Sequence, residues 1–454
     1  MQEIRNLKRN LNGLKMRKTL LILIFALIGI TAMNSVQAQI IASGECGANG
    51  NNLTWTLTSD YKLTIKGSGA MKDWLWNYTV PWYGYQKDIK TLAIGDSVTT
   101  IGDEAFRYFH GLTSVTIPNS VTKIGCSAFG ACINLQSLII GNSVTTIGGG
   151  AFGLCYALKA VTIPNSVITI EASAFNKCTE LATLIIGNSV TLIKERAFFE
   201  CTSLKSVVIP NSVTEIERYV FYGCTSLLSI TIPSSVTIIS YDVFYETPWY
   251  NNKPNGIIYI NNVLYKYKGE MPSGTTINIQ EGTVSISPEA FSSCSNLSSV
   301  TIPNSVTTIG DNAFWNCTSL TSIISHAINP PKIYSQTFFQ VPKNIPVSVP
   351  CISESTYKQT IGWKDFSNYI NCICVGVNDI TQSPNINLYP NPAARELYVK
   401  RTTQEAVDYS IFNLTGQIIL TGKLQNNSTI NVESLSNGMY YLKIAGKTVK
   451  FVKN

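Results

Sequence analysis

Histidine is almost missing from this chain, with only His110 and His326 in 454 residues. Neither sits in an H-E-x-x-H or other zinc spacing, and no G-x-S-x-G occurs. The zinc hydrolases and serine hydrolases built on those arrangements are therefore excluded. Charge is scarce too: Asp, Glu, Lys and Arg make up 13% of the residues, about half the usual share. Basic residues outnumber acidic ones, 34 to 27, but residues 1–38 hold six of the basic residues and one acid, leaving 28 against 26. A chain so close to neutral has no electrostatic footprint for nucleic acid. Long apolar runs are also lacking. The longest, Leu20–Ile30, is far short of the roughly 20 residues that span a bilayer.

That short run has another reading. It follows a basic stretch ending at Lys18 and precedes Val36-Gln37-Ala38, the pattern of a secretory signal cleaved between Ala38 and Gln39. Met16-Arg17-Lys18 reads as the start, with residues 1–15 an upstream extension.

What the chain does contain is a period. Cys132, Cys155, Cys178, Cys201 and Cys224 are each 23 residues apart, as are Cys294 and Cys317. Phenylalanine keeps the step from Phe106 to Phe244 and resumes at Phe291, and leucine keeps it from Leu112 to Leu227. A fixed step of this length marks a stacked-repeat architecture. In Val115-Thr116-Ile117 and its equivalents the outer residues share one face and the middle one takes the other. Pro-Asn-Ser then turns the chain, and a second short strand such as Val121–Ile124 follows. Parallel rungs about 4.8 Å apart would form a continuous sheet and stack the phenylalanines, leucines and cysteines into core columns. A superperiod overlies this: the turn reads I-G-[DN]-S at Ile94, Ile140 and Ile186 but I-P-N-S at Ile117, Ile163 and Ile209.

The expected fold is α/β leaning to mainly β: a solenoid of 23-residue repeats with β caps, followed by a small β-sandwich. Residues 1–38 are the signal peptide. Residues 39–91 form an N-terminal cap, with a hairpin of Leu53–Leu57 and Lys62–Ile65 and an aromatic plug of Trp74, Trp76, Trp82 and Tyr83. The repeats run over 92–325, with a degenerate repeat and protruding hairpin at 245–290. A diverged last repeat and cap with Trp363 occupies 326–375, and short alternating strands occupy 376–454.

The unit A-F-x-x-C-x-x-L-x-x-V-x-I-P-N-S-V-T-x-I, whole at Ala128–Cys132 with Leu135 and at Ala313–Leu320, resembles the BspA-like leucine-rich repeat family. Ser43–Gly47 and Thr247–Tyr250 match the opening and the interruption of that family. The tail resembles the C-terminal sorting domain of the type IX secretion system. The resemblance is carried by Pro390, Asn391 and Pro392 after Leu388-Tyr389, Gly416 after Phe412–Thr415, Gly438 and Tyr440, and a final Lys450-Phe451. It implies the type IX secretion machinery as partner, a secreted or outer-membrane-surface location, removal of the tail, and release or attachment to surface lipopolysaccharide.

For chemistry the expectations are modest. No catalytic residue, metal or cofactor is expected. The ladder cysteines form a line rather than a converging set, so they read as buried free thiols. Cys351 could pair with Cys372 or Cys374. Gly148, Gly150 and Gly153 satisfy G-x-G-x-x-G without a βαβ setting. Asp103, Glu195, Glu289 and Asp311 read as a solvated edge. Two surfaces compete as a ligand site. One is the outward strip of Thr116, Ile139, Thr162, Ile185, Val208 and Thr231; the other is the hairpin aromatics Trp249, Tyr259 and Tyr265. The strip suits adhesion or protein binding, and the aromatics suit a glycan or an envelope-structural role. An enzyme with an unrecognised site is the remaining reading.

Overall fold

A computed structural model describes residues 38–75, 79–370, 386–401, 406–413, 416–425, 428–444 and 447–454. Residues 1–37 of the proposed signal peptide, Trp76, Cys372 and Cys374 lie outside the described residues. The fold is mainly β, and among the described residues the α-helices are the four-residue Pro248–Asn251 and Glu354–Tyr357. The chain divides into two compact units, one of residues up to 269 with 287–290 and the other of 270–286 with 291–454.

In the first unit the cap is larger than the expected hairpin. Three strands, Ile40–Gly47, Gly50–Thr58 and Lys62–Gly67, run antiparallel, and the third pairs in parallel with Thr91–Ile94 of the first rung. The extra strand, Ile40–Gly47, is mostly exposed and shows no alternation. Trp74 and Trp82 are buried as the plug requires, and Trp82 stacks on Phe106 at 5.5 Å while its Nε1 donates to Ala105 O at 2.8 Å. Tyr83 is not part of the plug; it is 47% exposed.

The 23-residue step is realised residue by residue. Thr146 pairs with Thr169 and Lys123, and Ile147 with Ile170 and Ile124. Phenylalanine rings stack down the core from Phe106 to Phe244 with centroid separations of 5.2–6.1 Å. Each ladder thiol does more than fill space. Cys132, Cys155, Cys178, Cys201 and Cys224 donate through Sγ to the carbonyls of Phe106, Phe129, Phe152, Phe175 and Phe198 at 3.2–3.3 Å. The thiol is a small apolar group that also satisfies a buried main-chain acceptor.

The expected continuous parallel sheet is present. The continuous parallel sheet of this unit, eight strands from Gly69–Ala70 to Ile238–Ile239, is built by the second short strand of each repeat. The main strand instead falls into pairs: Ser114–Thr116 with Ser137–Ile139, Ala160–Thr162 with Thr183–Ile185, and Ser206–Val208 with Ser229–Thr231. In the first two pairs the partners are an I-P-N-S repeat and the I-G-N-S repeat after it. A β-carbon on Gly141 or Gly187 would lie 2.4 Å from the carbonyl oxygen of Pro118 or Pro164, so glycine there allows a close approach that any side chain would prevent. The 46-residue superperiod is thus visible in the packing.

The degenerate repeat is also corrected. Gly256–Ile260 and Val263–Lys268 do form an antiparallel hairpin, but it does not protrude. Ile258, Ile260, Val263 and Tyr265 are buried in the same core as the phenylalanine column.

In the second unit, Thr275–Asn278, Leu297–Ile302, Ser322–Ser325, Pro346–Ser348 and Asn368–Tyr369 form one five-stranded parallel sheet. Phe291, Phe314 and Phe338 stack at 5.2 and 5.0 Å, and fully buried Trp363 packs on Phe338. The tail forms a three-stranded and a four-stranded antiparallel sheet sharing a core of Leu397, Val399, Ile411, Leu442 and Phe451. Asn391 Oδ1 accepts from Val452 N–H at 2.9 Å, and Ala393 N–H donates to Val452 O at 2.8 Å. The opening and closing motifs of the tail, 61 residues apart, are therefore neighbours.

Candidate functional site

A strand exposes alternate residues, and the main strands from Ser114–Thr116 to Ser206–Val208 obey that rule strictly. Val115, Leu138, Val161, Leu184 and Val207 are buried, while Thr116, Ile139, Thr162, Ile185, Val208 and Thr231 face outward. Ile139, Ile185 and Val208 are 59%, 55% and 66% exposed. Aliphatic exposure this high, at the same position of three of the six rungs, is what burial-driven folding would otherwise remove. At the equivalent positions of the repeats in the second unit, Thr301 and Ile324 are half-buried.

The strip is not uniform. A groove of about 680 Å³ runs where Ile94, Thr116, Asn119, Ile139 and Asn142 meet. A second, of about 330 Å³, lies between Ile185 and Val208, with Asn188 and Pro210 at its side. The first spans three successive rungs, from Ile94 to Ile139, and the second spans the two rungs of Ile185 and Val208. One border of the strip is a column of exposed asparagines: Asn119, Asn142, Asn165, Asn188 and Asn211. Asn119 Oδ1 accepts from Asn142 N–H, and Asn165 Oδ1 from Asn188 N–H, both at 2.8 Å. The sequence shows these asparagines at a constant step, but there they read only as turn formers. Exposed Lys159 and Lys205 stand on the other border.

The rival aromatic site is not assembled at the surface. Tyr265 is buried; its hydroxyl accepts from Phe244 N–H at 3.3 Å, and burial holds the phenol far above its ordinary range. Trp249 packs on Phe244 at 4.8 Å with Lys253 over its ring, and Tyr259 is half-buried in the hairpin. These residues read as a surface cluster in the sequence because a hairpin was expected to project. In the structure the hairpin takes the place of a rung, and Tyr265 fills the core.

The remaining candidates have structural roles. His110 is half-buried, its ring edge-on to Tyr108 at 6.2 Å, and His326 is half-buried too. Asp103 Oδ1 accepts from Cys126 N–H, Asp311 Oδ1 from Gln336 N–H, and Glu195 pairs with Arg196 and Arg218. These acids tie rung to rung rather than simply facing solvent. Gly148 lies against the backbone of Gly125 and Cys126, and Gly150 has φ +62°, so the glycine-rich stretch serves turn geometry. Burial pushes the thiols of Cys178, Cys224 and Cys317 up to about 12, so they are held as inert neutral groups. Among the described residues no cluster of three or more His, Cys, Asp or Glu could hold a metal ion.

Comparison with known proteins agrees with the repeat geometry. Residues 83–203, 146–271 and 258–382 match the BspA type Leucine rich repeat region, in six copies, and residues 387–454 match the Secretion system C-terminal sorting domain. No curated protein matches the chain. Solved structures similar to it include a leucine-rich repeat protein from Eubacterium ventriosum, 21% identical over 66% of this chain and 95% of that one, with a TM-score of 0.38. A leucine rich cell surface protein from Faecalibacterium prausnitzii is 26% identical over 66% and 88%, with a TM-score of 0.35. The T. pallidum Leucine Rich Repeat protein is 24% identical over 44% and 88%, with a TM-score of 0.36.

Proposed function

The chain belongs to the BspA-type leucine-rich repeat family and carries a type IX secretion sorting domain, which makes it a secreted or cell-surface bacterial protein; on that premise we propose that it is a non-catalytic adhesion module that binds an extracellular protein through the outward strip of its first unit. The observation that carries this reading is the exposure of Ile139, Ile185 and Val208 in line with Thr116, Thr162 and Thr231 on an uncharged face. Full burial of one such aliphatic side chain is worth about 1.5–3 kcal/mol. Three on one face supply a useful gross term, although only the surplus over the cost of association appears as affinity. An extended surface of this kind is how solenoids engage large partners.

The supporting steps follow from the sorting route. The signal peptide is removed before Gln39, the sorting domain is removed at the surface, and the mature chain is released or held on surface lipopolysaccharide. Binding is reversible, without turnover. Because the chain without residues 1–38 is almost neutral, ionic strength has little effect on affinity. The glycan reading loses its main support once Tyr265 is placed in the core.

The test is an array of extracellular-matrix proteins beside a glycan array, probed with the chain from Gln39 onward. Saturable binding to one or more proteins that persists in 0.5 M salt is the expected result. Binding confined to glycans, or catalytic conversion of any arrayed material, would displace this reading.

A further inference from the structure

The motifs of the tail are far apart in sequence, yet strand register gathers them at one end of the four-stranded sheet. Val407–Phe412 runs into the turn between Asn413 and Gln417 and returns as Ile418–Leu424, with Phe412 opposite Ile418. Gly438–Ile444 is antiparallel to Val407–Phe412, with Tyr441 opposite Phe412. Its first residue, Gly438, therefore lies beyond Phe412, on the side of that turn. Gly438 is in turn opposite Lys453, the last residue of the closing strand. Lys453 bridges to Ala393, directly after Pro390-Asn391-Pro392. Lys450 stands three residues further in, opposite Tyr441.

Packing divides the residues at this end into anchors and display. Ala393, Tyr440 and Phe451 are buried. Ala393 N–H donates to Val452 O at 2.8 Å, and Asn454 N–H donates to Ala393 O at 2.9 Å. The Tyr440 ring stacks on Phe451 at 5.7 Å, and its hydroxyl donates to Ser436 O at 2.9 Å. Asn391 Oδ1 accepts from Val452 N–H at 2.9 Å and so fastens the opening segment to the closing strand. The turn is fixed as well: Gln417 N–H donates to Asn413 Oδ1 at 3.0 Å, and Gly416 has φ +80°, which glycine adopts without strain. Between these anchors Pro392, Gln417, Ser436, Asn437 and Asn454 are exposed. Loop residues held out by a rigid scaffold are a usual build for recognition.

The chemistry of the displayed residues narrows the partner. None of the five is charged, and three carry amides, each with two donors and an acceptor oxygen. The far end of the same sheet differs, with exposed Asp408 and Lys423 there. A lipid phosphate calls for exposed cations, which these five residues do not supply. Side-chain amides suit a protein surface with hydrogen-bonding groups of both kinds.

We infer that this end of the sheet is the surface by which the secretion machinery reads the tail, as one composite site that exists only when the tail is folded. The partner is a protein of that machinery that hydrogen-bonds the amides of Gln417, Asn437 and Asn454 beside Pro392. Asn391 is a positioning residue, acting through its hold on Val452. The inference rests on the match of residues 387–454 to the sorting domain and is independent of the strip.

The test uses the full chain in cells that carry the type IX machinery, scored by labelling of intact cells against the periplasmic pool. Gln417→Lys/Asn437→Lys replaces two exposed amides and should lower surface display roughly tenfold, with the chain accumulating in the periplasm. Asp408→Lys/Lys423→Asp makes an equally large change at the far end and should be displayed at the parental level. Limited proteolysis of the purified chains reports whether the tail is folded. Should the first pair be cut early, Ser436→Arg is the second variant and should lose display in the same way. Asn391→Leu should also lower display roughly tenfold, whereas Asn391→Asp keeps an oxygen for Val452 N–H and should restore it. A chain that lacks 376–446 but keeps 447–454 should stay in the periplasm. Parental display of the folded Gln417→Lys/Asn437→Lys or Ser436→Arg variant, an equal loss in the far-end variant, or display of the chain that keeps only 447–454 overturns the inference. Equal loss in Asn391→Asp and Asn391→Leu overturns the positioning role.

Discussion

Phe175→Ala is the sharpest perturbation of the repeat core. Phe175 is fully buried, with Phe152 at 5.3 Å on one side and Phe198 at 5.6 Å on the other, both nearly parallel to it. Its carbonyl also accepts the Cys201 thiol at 3.3 Å. Removing a buried phenylalanine costs about 3–5 kcal/mol, less where the surroundings can collapse. They cannot easily collapse here, because Phe152 and Phe198 are each held by their own rung. The cost should therefore fall near the top of that range, and two ring contacts of about 0.5–1.5 kcal/mol each are part of it. A single domain is stable by only about 5–15 kcal/mol. Rungs couple to their nearest neighbours, so the loss should be local and the array should melt in two steps. Urea unfolding followed by circular dichroism measures this, with Phe175→Leu as a volume-sparing control and Thr116→Ala as a surface control. A midpoint for Phe175→Ala no lower than that for Thr116→Ala would refute the buried column.

Three further outcomes are expected. Gly141→Ala places a methyl group 2.4 Å from the Pro118 carbonyl oxygen and should lower stability by about 1–3 kcal/mol; at Gly149 the nearest such atom is Ala172 O at 3.4 Å, so Gly149→Ala should be nearly neutral in the same melt. The ladder thiols make stability fall at high pH. Their folded-state values are raised by burial, to about 12 for Cys178 and Cys224, while unfolded thiols ionise near 8.5, so both states are protonated at neutral pH and only the unfolded state loses protons above about pH 9. Stability should be flat from pH 6 to 8 and then fall, each such thiol adding about 1.4 kcal/mol per pH unit, and Cys178→Ala should flatten the slope between pH 9 and 10; an unaltered slope would show that Cys178 is not shielded. Deleting residues 376–454 should strand the chain in the periplasm, which labelling of intact cells will detect, and display at the parental level would refute the tail's role as the address.

The period in Cys132–Cys224 and Phe106–Phe244 was enough to read the repeats, because every rung solves the same packing problem with the same residues. The tail was readable for a different reason, a set of ordered motifs. The pairing of main strands was written in the proline–glycine alternation, yet its consequence needed the distance between Gly141 and Pro118. Where the period broke, local pattern misled. Tyr259 and Tyr265 looked like a surface cluster since nothing in a hairpin sequence says whether it projects or replaces a rung.

The central claim is that the strip is the binding face. It is tested most directly by Thr162→Lys/Ile185→Lys/Val208→Lys, three outward positions whose replacement leaves the core columns untouched. Surface-displayed parent and variant are compared for adhesion to the matrix protein bound best on the array, with melting curves confirming the fold. At least a tenfold loss of adhesion at unchanged stability is predicted. Parental adhesion by the folded variant would contradict the account and place the ligand elsewhere on the molecule.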